Sequence, residues 1–250
     1  MSDPFLLIAG LGQGSWVWHD VLPELAQDRR VFAPDVPGTG ELNEQAARRS
    51  IGDMALDMRA LLHAERIDRA HVVGLSMGGY VAMTVALEEP ELVRSLVLAG
   101  TGGGGPDRVR RPRHVADAFA AALGSQYEDF ARETMPYTFA EGWTKVNPER
   151  FEEILAARLE RPTPYATIEA HAIACYAFYD SGIDAERIRA PALVIHGDQD
   201  LIIPVQNGRK LAARLPNAEY VGLEMHGHNL PLEDPERFSR LVLEFVASVE

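Results

Sequence analysis

The sequence predicts an α/β fold in which a mainly parallel, six-stranded sheet is flanked by helices. Short apolar runs alternate with segments of helical periodicity, which is typical of a parallel sheet covered by helices on both faces. A Gly-x-Ser-x-Gly turn follows one apolar run and precedes a helical pattern. One long segment lacks strand patterns, and we interpret it as a helical insertion over the carboxyl edge of the sheet, where open α/β sheets bind ligands.

The apolar runs give the predicted strands, at residues 5–9, 30–34, 71–73, 96–99, 193–196 and 220–223. Their continuous apolar character predicts burial on both faces. A capping box of Ser50 with Asp53, followed by apolar residues at helical spacing, predicts a helix that begins at residue 51. Asp234 and Pro235 begin the last predicted helix, as cap and first turn.

Residues 101–190 form the predicted helical cap, and residues 1–100 and 191–250 form the predicted core. Helical patterns span 112–123, 126–135, 148–160 and 164–180, and Asn147 and Thr163 are the predicted caps of the last two. A glycine run at 102–105 is interpreted as a flexible connector into the cap.

The predicted cap contains more than half of the Phe, Trp and Tyr residues of the chain. Packing of the cap onto the core accounts for most of them, and a few are candidates for an apolar substrate pocket. The pocket candidates are Trp16, Tyr137, Phe139, Trp143 and Phe178.

The amino-acid composition restricts the binding partners and the cellular compartment that we expect for this protein. The 24 basic and 37 acidic residues give a net charge of −13, which argues against nucleic acid as a general partner. The single cysteine, Cys175, cannot form an intrachain disulfide, and we expect it to be buried. The first residues lack the pattern of a signal peptide, and no stretch approaches membrane-spanning length. We therefore expect a cytoplasmic protein without a membrane partner; a homodimer stays open.

The motif Gly74-Leu75-Ser76-Met77-Gly78 is short, and glycines are common at simple strand-to-helix turns. The same motif is typical of a nucleophile elbow, in which side chains at the two glycine positions would collide with the neighbouring strand and helix. The following helix would direct its N-terminal N–H groups toward an oxyanion. Ser76 is therefore a candidate nucleophile, provided that a base and an acid lie at the same edge.

Two of the eight histidines lie in a loop after the last predicted strand, His226 and His228. The others fall in predicted strands or helical patterns: His19, His63, His71, His114, His171 and His196. Asp198 and Asp200 follow the preceding strand in the same way. Because the carboxyl ends of parallel strands meet at one edge, either aspartate and either loop histidine can approach Ser76.

The order Ser, Asp, His and the loops around these residues resemble the α/β-hydrolase family, over nearly the whole chain outside the predicted cap. The family's acid loop Gly-x-x-Asp-x-x-x-Pro and its base loop His-x-x-x-x-Glu-x-Pro fall on Gly197, Asp200 and Pro204 and on His228, Glu233 and Pro235. The resemblance implies that Asp200 is the acid and His228 the base. It leaves Asp198 as a turn residue and His226 as a neighbouring or solvent-facing residue.

The resemblance also implies an oxyanion hole made by the backbone N–H groups of Leu11 and Met77. The family's loop commonly begins His-Gly, and this chain has Ala9-Gly10 instead, so the bracing of the loop stays open. The spacing Gly-x-x-x-Gly-x-Trp-x-Trp in this loop resembles small members such as plant methyl esterases and hydroxynitrile lyases.

Other classes of protein account for fewer of the motifs in the sequence. Gly10-x-Gly12 with a later Asp35 resembles a dinucleotide fingerprint, but Ser15 stands where its third glycine belongs. Dehalogenases and epoxide hydrolases of this fold resemble an aspartate-nucleophile branch, and Ser76 argues against both. A protease is disfavoured because the predicted cap covers the site.

We expect a serine hydrolase, without a cofactor or metal, that cleaves a small, largely apolar carboxylic ester or lactone through an acyl-enzyme. The alternatives on the same triad are a carbon–carbon bond hydrolase, a hydroxynitrile lyase and an acyltransferase. A small-molecule receptor without turnover also stays open.

Overall fold

The computed structural model describes residues 2–250 and contains one six-stranded sheet. Its strands are β1 (Phe5–Ile8), β2 (Val31–Phe32), β3 (Ala70–Leu75), β4 (Val93–Ala99), β5 (Ala192–Gly197) and β6 (Ala218–Leu223). Neighbouring strands are parallel, in the order β2-β1-β3-β4-β5-β6. The predicted α/β class and its six strands are confirmed, and parallel pairing extends over the whole sheet.

Helices connect the strands and cover the sheet. They are α1 (Leu22–Leu25), α2 (Ile51–Ala64), α3 (Met77–Glu88), α4 (Arg113–Ala122), α5 (Tyr127–Thr134), α6 (Trp143–Val146), α7 (Pro148–Glu160), α8 (Tyr165–Ser181), α9 (Gln206–Arg214), α10 (Leu230–Glu233) and α11 (Pro235–Val249). Among residues 2–250, no helix is both long and apolar enough to cross a membrane.

Ser50 and Asp234 are confirmed as side-chain caps, and Asn147 occupies the predicted N-cap position of α7 without a side-chain cap bond. The prediction for Thr163 is wrong, because Pro164 is the N-cap of α8. Ser50 Oγ accepts a hydrogen bond from the backbone N–H of Asp53, at 3.0 Å. Asp234 Oδ1 likewise caps α11. Asn147 instead donates its side-chain amide to the carbonyl of Trp143, and Thr163 donates its hydroxyl to a loop far away in sequence.

The two faces of the sheet have separate hydrophobic layers. In β1, Leu6 packs in the layer that includes α2 and α3, whereas Leu7 packs in the layer that includes α11, because side chains alternate along a strand. Strands β1, β3 and β5 are buried throughout, as their apolar runs predict. The same prediction is wrong for β2 and β6, which are partly exposed because they form the two edges of the sheet.

Only helices and turns lie between β4 and β5, from α4 to α8. Helix α8 packs over α3, where the rings of Phe178 and Tyr80 stack with centroids 4.2 Å apart. The glycine run at 102–105 packs closely against the helices around it, since a Cβ on Gly104 would lie 2.7 Å from the carbonyl oxygen of Phe178. Close packing accounts for Gly102 and Gly104, and a positive φ favours glycine at Gly104 and Gly105. The division of the chain into core and cap stays a prediction.

Candidate active site

Ser76 stands at the tight turn between β3 and α3, with φ of 56° and ψ of −116°. This backbone conformation costs a non-glycine residue about 1–3 kcal/mol. The turn is held on both sides, because the N–H of Ser76 donates to the carbonyl of Ala99 and the hydroxyl of Thr101 donates to the carbonyl of Ser76. A Cβ on Gly78 would overlap the carbonyl oxygen of Ile8 in β1, and a Cβ on Gly74 would overlap that of Gly78. The motif therefore has the steric demands of a nucleophile elbow.

The Asp200 carboxylate is fully buried and is surrounded by four hydrogen-bond donors. Oδ1 accepts from the backbone N–H groups of Ile202 and Ile203, both at 2.8 Å. Oδ2 lies 2.7 Å from Nδ1 of His228 and 3.1 Å from Nε2 of His196. These contacts hold the carboxylate and the His228 ring in one orientation.

The hydrogen bonds around Asp200 assign the tautomers of both histidines. Nε2 of His196 also lies 2.8 Å from the carbonyl oxygen of Ile203, so this nitrogen faces two acceptors and carries the proton. Nδ1 of His228 donates to Asp200, which leaves Nε2 of a neutral His228 ring as a proton acceptor.

Opposing effects set the charge of Asp200. Burial raises the pKa of its carboxyl, but the charge of His228 and the hydrogen bonds from His196 and His228 outweigh burial and hold the pKa well below its usual range. Asp200 is therefore ionised at neutral pH and can stabilise an imidazolium at His228.

The base loop is tied to the segment that follows α5. The backbone N–H groups of His228 and Asn229 both donate to the carbonyl of Thr138, at 2.9 Å. The Glu233 carboxylate accepts from the N–H of Gly227 on one side and from the N–H of Ala140 on the other. Burial raises the pKa of Glu233. This carboxylate thus joins the loop of the candidate base to the helical segment above it.

The remaining loop residues have local partners. Asp198 accepts from the N–H of Met225 at 2.8 Å, which agrees with its predicted turn role. His226 lies against Asp234 and the carbonyl of Glu224. Neither side chain joins the Asp200–His228 pair.

Sheet register brings the three candidate triad residues to one edge. Leu75 pairs with Ala99, so the residues after them, Ser76 and Gly100, lie side by side. A Cβ on Gly100 would be 3.1 Å from Nδ1 of His228, and a Cβ on Gly10 would be 3.3 Å from Cβ of Ser76. The serine, the Asp200–His228 pair and the loop after β1 therefore lie at the same edge of the sheet.

Side chains from three parts of the chain hold the loop after β1 in place. Gln13 accepts from the N–H of Gly10 and donates to Asn229, both at 3.1 Å. His171, from α8, accepts from the N–H of Gly12 at 3.3 Å through Nδ1. Burial lowers the pKa of His171 to about 4, so the neutral ring keeps this acceptor at neutral pH. Among residues 2–250, the N–H of Leu11 has no hydrogen-bond acceptor.

Sequence reasoning missed the residues that brace this loop. Gly12 and His171 are 159 positions apart, and Gln13 and Asn229 are 216 apart. His171 fell in a helical pattern, and His196 fell in a strand, so neither carried a functional signal. Only the folded chain brings them to the site.

The pocket candidates are placed mainly among packing contacts. Phe139 is 1% exposed and stacks on Trp143, with ring centroids 4.4 Å apart. Phe178 stacks on Tyr80. Tyr137 packs beside Phe119, and Trp16 lies against the α11 layer. Contact of these five candidates with a substrate stays a prediction.

In the structure, Asp35 has a role different from the one that the dinucleotide interpretation gives it. Its carboxylate accepts from the backbone N–H groups of Ser15 and Glu41 and so holds two loops together.

Cys175 is buried, as expected, and burial raises its pKa to about 12, which disfavours a thiolate. Within residues 2–250, no three His, Cys, Asp or Glu side chains cluster in a way that could hold a metal ion.

A parallel sheet with a strand–serine–helix turn and an Asp–His pair at its carboxyl edge defines the class of the α/β hydrolases. Residues 3–235 match the family described as alpha/beta hydrolase fold, and the chain belongs to this family.

Particular relatives differ in the bond that their names describe. A protein of Pseudomonas savastanoi pv. phaseolicola named as the carbamate hydrolase RutD is 31% identical, over 96% of this chain and 92% of that protein. A 2-hydroxymuconate semialdehyde hydrolase of a Pseudomonas species is 33% identical, over 99% of this chain and 88% of that protein. The structure of a thermophilic esterase from Thermogutta terrifontis has a TM-score of 0.83 at 26% identity, over 100% of this chain and 91% of that chain. These relatives support a hydrolase activity.

We predict that Gly78→Ala lowers the free energy of unfolding by about 3 kcal/mol or more, because the new methyl group must displace β1 or α3. Gly52→Ala is the matched control. Its Cβ meets nothing closer than Ser50 Oγ at 3.9 Å, so alanine should leave stability unchanged or raise it by up to about 1 kcal/mol. Urea unfolding measures both, and equal stabilities would contradict the close approach.

We predict that Asp200→Asn lowers the free energy of unfolding at neutral pH by about 2–3 kcal/mol, because an amide cannot accept from four donors. The low pKa of Asp200 gives stability that is present above the carboxyl's ordinary pKa and is lost as the pH falls through the folded value. The difference between wild type and variant should therefore shrink in acid. Asp198→Asn is the control. If the difference in free energy of unfolding between wild type and Asp200→Asn does not change with pH, that result would count against an ionised Asp200.

Proposed function

We propose that the protein is a serine hydrolase that cleaves small, largely apolar carboxylic esters or lactones through an acyl-enzyme. The observation that carries the proposal is the buried Asp200–His228 hydrogen bond at the edge where Ser76 emerges from its strained turn. Acyl transfer requires a serine nucleophile, an imidazole that takes its proton and a carboxylate that orients the imidazole.

In the first half-reaction, Oγ of Ser76 attacks the substrate carbonyl while Nε2 of His228 takes its proton. The negative charge that develops on the carbonyl oxygen is received by the N–H groups of Leu11 and Met77, and each such donor is worth about 3–4 kcal/mol. The tetrahedral intermediate then expels the alkoxide, which takes the proton back from His228. The acyl group stays on Ser76.

In the second half-reaction, His228 takes a proton from water as the water attacks the acyl carbonyl. Collapse of this second intermediate releases the carboxylic acid and returns the proton from His228 to Ser76. Asp200 keeps the ring in one tautomer and stabilises the imidazolium in both halves.

Similarity to the Thermogutta terrifontis esterase supports ester cleavage, at 26% identity over the whole chain. The relatives named for a carbamate and for 2-hydroxymuconate semialdehyde favour a second candidate, in which the same serine cleaves a carbon–nitrogen or a carbon–carbon bond. The two candidate functions differ in their leaving groups. An alkoxide can leave with less help from protonation than an amide or a carbanion can. Turnover of matched ester, carbamate and diketone substrates separates them.

We predict that Ser76→Ala abolishes hydrolysis of short p-nitrophenyl esters, because the nucleophile is removed. Ser248→Ala, at the far end of α11, is the control and should keep full activity. Unchanged hydrolysis in the Ser76 variant would rule out this mechanism.

We predict that His171→Leu lowers kcat about tenfold and changes KM little, since the loop that carries Leu11 loses a brace and the oxyanion donor moves. His171→Gln keeps an acceptor for the N–H of Gly12 and should retain more of the activity. Steady-state kinetics with a thermal melt for each variant measure this. Equal kcat values for the leucine variant and wild type would show that the brace does not act on catalysis.

A further inference from the structure

Leu11, whose backbone N–H is the proposed oxyanion donor, follows a glycine that a side chain holds in place. The N–H of Gly10 donates to Oε1 of Gln13 at 3.1 Å, and the N–H of Gln13 donates back to the carbonyl of Gly10 at 3.1 Å. The Gln13 side chain then leaves its own loop, because its Nε2 donates to Oδ1 of Asn229 at 3.1 Å. The backbone next to the oxyanion donor is therefore tied to a distant part of the chain.

Asn229 follows the candidate base directly and is 3% exposed. Its Nδ2 donates to Oγ1 of Thr138 at 2.8 Å, and its backbone N–H donates to the carbonyl of the same threonine at 2.9 Å. Its own carbonyl accepts from the N–H groups of Leu232 and Glu233 in α10, at 2.9 and 3.0 Å. Asn229 is thus fixed at both of its backbone groups and at both ends of its side chain.

The hydrogen bonds through Asn229 run in a single direction. A backbone N–H can only donate, so Gly10 faces the oxygen of the Gln13 amide, and the NH2 group of that amide faces Asn229. Asn229 accepts through its oxygen and donates through its nitrogen to Thr138, whose hydroxyl donates in turn to the carbonyl of Met135 at 2.7 Å. Reversal of either amide would bring two donors together or two acceptors together. Each amide therefore has one orientation.

This chain of hydrogen bonds joins three separate parts of the molecule. It begins in the loop after β1, passes through the residue beside the candidate base, and ends in the segment after α5, in the predicted cap. Gln13 and Asn229 are 216 positions apart, and Asn229 and Thr138 are 91 apart. Hydrogen bonds in a chain polarise one another, so the loss of one weakens the others.

We infer that Asn229 is a positioning residue, which holds the oxyanion donor of Leu11 at a fixed place relative to the candidate base, and that Thr138 extends this control into the predicted cap. The inference rests on the proposed function. It adds a link through which the helical segment over the site sets the geometry of the oxyanion hole. Asn229 acts on the reaction through Gln13 and Gly10, and it does not have to touch the substrate.

The test breaks the chain of hydrogen bonds on each side of Asn229 and leaves Asn229 itself unchanged. Gln13→Met removes the amide at similar length, and Thr138→Val removes the hydroxyl at similar shape. For p-nitrophenyl butyrate we expect kcat to fall about tenfold in Gln13→Met and about fivefold in Thr138→Val. The KM should stay within about twofold, because an oxyanion donor acts mainly on the transition state.

Two further variants separate the chain of hydrogen bonds from general packing. Thr138→Ser keeps the hydroxyl and should restore most of the lost kcat. Thr134→Val is the matched control, because the Thr134 hydroxyl donates to the carbonyl of Phe130 in its own helix, and kcat should stay near the wild-type value. Equal kcat in Thr138→Val and Thr134→Val would overturn the inference.

The double variant Gln13→Met/Thr138→Val asks whether both changes act through Asn229. Effects of independent sites multiply, whereas effects of residues that share a partner do not. We expect kcat of the double variant to be about tenfold below wild type, as in Gln13→Met alone, because the chain is already broken. A loss of about fiftyfold, the product of the two single effects, would contradict a link through Asn229.

Amide hydrogen exchange, measured by NMR, separates this inference from the proposed function because it needs no turnover. In the Ser76→Ala protein, Thr138→Val should speed exchange at the N–H of Gly10 several-fold, and Thr134→Val should leave it unchanged. If wild type cleaves no ester, the proposed function fails, and the exchange rates still decide on the link through Asn229. Equal exchange at Gly10 in the two valine variants would contradict that link.

Discussion

The close approach of α3 to β1 is the constraint on which the site depends. Gly78 lies so near the carbonyl of Ile8 that no side chain fits, and this contact sets the helix directly against the strand that precedes Gly10. Ser76, two residues before Gly78, has a positive φ of 56°, and α3 begins directly after it beside the loop that follows β1. Packing of the backbone thereby fixes the position of the candidate nucleophile and of the backbone beside it, before any side chain of the candidate triad contributes.

Asp200 supplies the second constraint, which is electrostatic. Its carboxylate is removed from water, yet four donors keep it ionised, and they fix the His228 ring in turn. Ser76 is 8% and His228 5% exposed, so the interactions among charges at this edge act with little screening by solvent. The helices between β4 and β5 take part in this arrangement, because Thr138, Glu233 and His171 each join them to a loop of the candidate site.

The sequence was most informative where a residue acts through its neighbours in the chain. Apolar runs located all six strands, and Ser50 and Asp234 marked helix starts, since strand burial and capping are local effects. Edge exposure of β6, the bond from Thr163 to Gly12, and the brace from His171 could not be foreseen, because they depend on strand order and on contacts across the fold. The motif around Ser76 and the loops of Asp200 and His228 were readable because each is confined to a few adjacent residues.

The central claim is that Ser76 is a nucleophile activated by the His228–Asp200 pair. Labelling of the wild-type protein with a fluorophosphonate, followed by peptide mass spectrometry, tests it most directly. One phosphonyl group should appear on the peptide that contains Ser76, and this labelling should be lost in His228→Ala. Labelling at another residue, or a rate at Ser76 that does not depend on His228, would contradict the claim.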